Sequence, residues 1–129
     1  MLLKKTLGVI FGILFLSFAA FQYNDPDPLI WVTIYLIAAV LSFAAGFGRV
    51  SNAVLAVACV VYIGGVVYWW PERFEGVGDS MRDAATGALL VNVEEGRESL
   101  GMAICAAAML TFILLSRFGK THEANRTAL

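Results

Sequence analysis

The stretch that decides the fold runs from Leu29 to Phe47, LIWVTIYLIAAVLSFAAGF, and contains no Asp, Glu, Lys or Arg. A membrane-spanning helix needs roughly 17–25 predominantly apolar residues, and this tract is long enough. It is also too long for an ordinary buried strand, and in lipid an apolar segment satisfies its backbone polar groups by forming a helix.

Working outward, three more tracts have the same character. Leu7–Tyr23 follows Lys4 and Lys5, Ala53–Trp70 is uncharged, and Leu100–Leu115 ends just before Arg117. The expected architecture is therefore all-α: an integral membrane four-helix bundle forming a single domain over residues 1–129. Its spans fall at about 7–23, 29–47, 53–70 and 100–115, with a connection over 71–99 and a tail over 117–129. Composition agrees. Hydrophobic residues make up 60% of the chain, charged residues 15%, and mean hydropathy is +0.78. Soluble domains are about 45–50% apolar and about 25% charged.

The net charge of −1 gives no basic face for nucleic acid, but it conceals an asymmetry. With the N-terminus in the cytoplasm, Lys4, Lys5, Arg49, Arg117, Lys120 and Arg126 lie inside, and Arg73, Arg82 and Arg97 lie outside. Short cytoplasmic loops collect Lys and Arg, so six against three puts both termini inside. Among the acids, only Glu123 is then inside, while Asp25, Asp27, Glu72, Glu75, Asp79, Asp83, Glu94, Glu95 and Glu98 make the outer face acidic. Trp31, Trp69 and Trp70 fall at the outer boundary, where an aromatic belt is expected. One rival concerns the first tract. Two lysines, a short apolar run and Ser17-Phe18-Ala19 also resemble a cleaved secretory signal, which N-terminal sequencing beginning at Ala20 would reveal.

The connections are short except the third. Ser51 or Asn52 can cap the third helix. Within 71–99, Met81, Ala84, Ala85, Ala88 and Leu89 recur at helical spacing after Asp79 and Ser80. This pattern predicts a short amphipathic helix on the outer surface, although Gly87 weakens it.

Two motifs can carry chemistry. The first is Asn24-Asp25-Pro26-Asp27-Pro28. Proline suits the first position of a helix and an aspartate before it can cap free N–H groups, so Asp27 and Pro28 read as a helix start. Asn24 and Asp25 are not required for that. The second is Glu94-Glu95-Gly96-Arg97-Glu98, before the last span. Asn92 and Glu95 are spaced as a capping box, and Glu94 and Glu98 share a helical face. The bland reading is a solvated, well-capped helix start.

With Asn24-Asp25-Pro26-Asp27 after the first span, an aromatic-rich second span opening at Trp31, and Glu94-Glu95-Gly96-Arg97-Glu98 before the last, the chain resembles the transmembrane protein 220 family from about Phe18 to Leu115. The resemblance implies a compact helical membrane protein of a kind found in bacteria and eukaryotes, with the bacterial inner membrane as the expected location. It implies no activity. It also gives a reason to consider the motifs together, since both sit at outer helix ends. Arg97 can bridge to Asp25 or Asp27 as a forked ion pair. Alternatively, Asp25, Asp27, Glu94 and Glu98 can offer oxygens to a hard cation such as calcium.

Within the spans the polar groups are Ser17, Gln22, Thr33, Tyr35, Ser42, Tyr62 and Thr111, with no ionisable acid or base at mid-depth. Pumps and ion-coupled transporters usually need one. Cys59 and Cys105 fall in apolar tracts and read as small hydrophobes. The only histidine, His122, is in the tail, and no cofactor is expected. Gly8-x-x-x-Gly12, Gly64-Gly65 and Ala103-x-x-x-Ala107 are small-residue faces for close helix approach. They serve internal packing or contact with a partner membrane protein. The expected function is a non-catalytic scaffold or accessory subunit. The alternative is a ligand- or cation-binding protein, or an enzyme, built on the acidic cluster.

Overall fold

A computed structural model describes residues 2–24, 28–70 and 91–128, with the side chains of 23–24, 91–94 and 118–128 excepted. Asp25, Asp27 and the amphipathic helix expected within 79–90 lie outside the described residues. Among those described there is no strand. Four α-helices occur: α1 (Leu2–Ala20), α2 (Pro28–Gly46), α3 (Asn52–Tyr68) and α4 (Val91–Ala128), with a 3-10 turn at Phe21–Asn24 closing α1.

The element bounds differ from the sequence expectation, and α4 continues as helix through the expected tail to Ala128. The first helix begins at Leu2, so Lys4 and Lys5 are helical. The last is already helical at Val91, so 91–99 are its first turns rather than loop, and Asn92 lies inside the helix instead of capping it. Polar residues broke the apolar run but not the helix, because the backbone ladder needs no apolar side chain. By length and hydropathy, α1, α2 and the Glu95–Arg117 part of α4 can cross a membrane; α3 is apolar but shorter, at 17 residues.

Polar groups inside these helices are satisfied locally. The hydroxyls of Ser17, Thr33, Ser42 and Thr111 each donate to the carbonyl one turn earlier, at 2.8–3.0 Å. No described buried side-chain nitrogen or oxygen lacks a hydrogen-bond partner.

The helices form two antiparallel hairpins. In the first, α1 and α2 touch backbone to backbone. A Cβ on Gly8 would lie 2.6 Å from the Gly46 Cα and 2.9 Å from the Ser42 carbonyl, and one on Gly12 would run into the Phe43 ring. The turn after α2 is closed by Gly48 at φ 70°, with the Arg49 N–H donating to the Ala44 carbonyl at 2.8 Å. Ser51 then caps α3, its Oγ accepting from the Val54 N–H at 3.3 Å. In the second hairpin, the Ser99 hydroxyl donates to the Val66 carbonyl (2.9 Å), the Cys59 thiol to the Ala106 carbonyl (3.5 Å), and Met102 packs on Gly65. Both cysteines are buried and free, as small hydrophobes.

The core sits where α4 meets the first hairpin. Phe15, Leu55, Met109, Phe112 and Cys105 are fully buried, and Phe11 meets Phe112 edge to face at 5.8 Å. Between α2 and α3 the Tyr62 hydroxyl donates to the Ile34 carbonyl (3.2 Å) and Trp31 meets Trp69 (5.2 Å). An apolar groove of about 850 Å³ runs between the two helices, with Ile34, Tyr62 and Trp69 among its lining residues.

Candidate functional site

The two sequence motifs lie at one end of the bundle, where α1 ends, α2 begins and α4 begins. Pro28 is the first residue of α2, as its fixed φ favours. At the end of α1, buried Gln22 turns back on its own chain, its Nε2 donating to the Phe18 carbonyl at 2.9 Å. Asn24 ends the 3-10 turn. Asp25 and Asp27 fall outside the described residues.

On α4, Glu94 is helical, Glu95 and Arg97 are half-buried, and Glu98 is 6% exposed. The helical period accounts for this difference. The buried face of α4 carries Met102, Cys105, Met109 and Phe112, and one more turn back along it leads to Glu98. The acid is therefore turned inward, not solvated. A buried charge without partners is costly, and Glu98 and Arg97 are both engaged in interactions. Ser99, fully buried beside Glu98, ties this turn to α3.

An aromatic layer surrounds the buried end. Trp31 (2% exposed) and Tyr35 (5%) line α2. Tyr35 meets Phe18 edge to face at 5.4 Å, and its hydroxyl presses on the α4 backbone at Gly101, where a Cβ would overlap it. Trp31 contacts Tyr35 (6.3 Å) and Trp69, which in turn meets Tyr68 at 4.8 Å. Trp31 is therefore a packing residue, not part of an exposed belt. Tyr35 and Trp69 lie against its ring, while Trp70 remains exposed.

The sequence motifs thus contribute Glu98 to the interior and leave Glu95 and Arg97 at its edge. Among the described residues, no three His, Cys, Asp or Glu side chains converge. Of the four carboxylates considered for a cation, only the Glu98 side chain is among the described residues. Sequence reasoning missed Tyr35, Ser99 and Gly101 as site components. Extending the apolar face of the last span backwards by helical steps would have reached both Gly101 and Glu98.

A family model described as transmembrane family 220, helix, matches residues 14–114. No solved structure matches the chain.

Proposed function

The chain belongs to transmembrane family 220, and from that premise we propose that this multi-pass membrane protein is a non-catalytic scaffold or accessory subunit. It crosses the bilayer four times with both termini in the cytoplasm, and its acidic outer face is the contact surface. At 17 residues, α3 spans about 25 Å and is near the lower limit for a spanning helix. The surplus of basic residues at the opposite end supports the orientation, and a bacterial inner membrane is a suitable setting.

The observation that supports the scaffold reading is the burial of polar and aromatic side chains where α2 and α4 begin. Glu98, Ser99, Trp31 and Tyr35 are all buried at this end of the bundle, and Glu95 and Arg97 lie half-buried at its edge. In this arrangement Arg97 locks the start of α4. Arg97→Ala should lower the melting temperature in detergent by several degrees, since about 1 kcal/mol is the upper end for a half-exposed ion pair. An unchanged melting temperature would remove Arg97 from that role.

The burial of Glu98 also favours a second reading, in which Asp25, Asp27, Glu94 and Glu98 hold a hard cation. Affinity capture from native membranes combined with metal analysis distinguishes the two. The scaffold reading expects a stoichiometric membrane-protein partner that is lost with Glu95→Lys. A stoichiometric metal in the purified protein would replace it with the second.

A further inference from the structure

The groove between α2 and α3 is used by neither sequence motif. Its walls are Ile37 and Leu41 on α2 and Val54, Val57 and Val61 on α3, with Met102 of α4 beneath. The Tyr62 hydroxyl, its main polar group, is already committed to the Ile34 carbonyl. Gly64 also opens onto the groove, and nothing lies within 4 Å of where its Cβ would be. The groove is therefore apolar, unfilled and open sideways.

Its two walls are joined at one end by the turn that carries Arg49. That side chain is exposed, while the backbone is pinned through its N–H to Ala44. Lys4 lies beside Gly46 at this end, as do Lys5 at the start of α1 and Arg117 towards the end of α4. The described residues at this end carry no carboxylate as far as Arg117; Glu123 lies further along α4. An apolar slot thus ends near a turn whose exposed side chain, Arg49, is basic, which matches a molecule with an apolar tail and an anionic head.

We propose that this groove binds an anionic phospholipid, one acyl chain lying between α2 and α3 and the phosphate drawn to Arg49. Basic residues close to a membrane surface attract anionic headgroups, and the groove converts that general attraction into a place. An apolar transmembrane helix in the same place would make no use of the Arg49 charge.

The test is native mass spectrometry of the full-length protein in mild detergent, with phosphatidylglycerol and phosphatidylcholine of identical chains. The wild type should retain phosphatidylglycerol about fivefold better, the scale expected for one basic residue at an anionic surface. Arg49→Gln should abolish that preference. Val57→Trp and Ile37→Trp, on facing walls and both at least half exposed, should reduce retention of both lipids. Val60→Trp, exposed on α3 but outside the groove, should change neither. Equal retention of the two lipids by the wild type overturns the proposal. So does wild-type behaviour of Arg49→Gln or of both groove variants, a comparable loss in Val60→Trp, or a dimer that carries no lipid.

Discussion

At the scale of single residues, the contact between Tyr35 and Gly101 couples α2 to α4 most directly. The Tyr35 hydroxyl occupies the space a Cβ at position 101 would need, so Gly101→Ala forces the ring out of its layer with Phe18 and Trp31. Overpacking of this kind costs about 1–3 kcal/mol. The same substitution in a Tyr35→Phe background should cost less, because the overlapping atom is gone, although Tyr35→Phe alone gives up an engaged hydroxyl worth about 1 kcal/mol. A double-mutant cycle on melting temperature in detergent checks this, and strict additivity would contradict the contact. This scale also shows where reading the sequence stopped short. The four-residue spacing of Glu94 and Glu98 correctly implied a shared helical face, but spacing alone does not say which face turns inward. That is decided by Met102, Cys105 and Met109 several turns later, and it makes Glu98, not Arg97, the deeply placed charge.

At the scale of elements, the first hairpin depends on a glycine contact that was legible as a motif. Gly8-x-x-x-Gly12 reads as a helix-packing surface, and α1 uses it against Gly46, Ser42 and Phe43. Gly65 likewise receives Met102, whereas Gly64 faces open space and Ala107 is exposed. The small-residue faces thus divide into internal and outward ones, a division that depends on helix rotation and is invisible in spacing. Gly8→Leu should separate the α1 and α2 backbones and lower the melting temperature substantially, since neither Gly46 nor the Ser42 carbonyl can move aside as a flexible side chain would. Thr6→Leu, on the same helix but exposed, is the control and should leave the melting temperature nearly unchanged. Equal effects would mean that the α1–α2 contact contributes little. Packing of Gly8, Gly12 and Phe15 into the bundle also gives α1 a role that a cleaved signal would not have, so N-terminal sequencing of the membrane-extracted protein should not begin at Ala20. Helix ends were harder to locate. The last helix includes Glu95 to Glu98 because helical bonding continues through polar residues once a neighbouring helix holds the turn, here through Ser99 and Val66.

At the scale of the whole molecule, the distribution of charge and the path of the chain make a joint prediction about sidedness. Apolar tracts and the number of helices could be read directly, because lipid admits few alternatives to a helix. Whether the shortest helix crosses is a different matter, since 17 residues approach the minimum. If α3 spans, Lys5 and Thr121 face the cytoplasm and Ser80 lies outside. If it does not, Ser80 stays on the same side as Arg49. Single-cysteine variants Lys5→Cys, Ser80→Cys and Thr121→Cys, in a background with Cys59→Ala and Cys105→Ala, separate the cases with a membrane-impermeant maleimide. Four spans with cytoplasmic termini require Ser80→Cys to react in intact cells and the other two to react only after permeabilisation. Protection at positions 5 and 80 with reaction at 121 would leave α3 on one side of the bilayer, because α4 would then carry the C-terminus outward. Reaction at position 5 in intact cells would reverse the orientation inferred from the basic residues, because the N-terminus would then lie outside and Arg49, two spans later, would share its side.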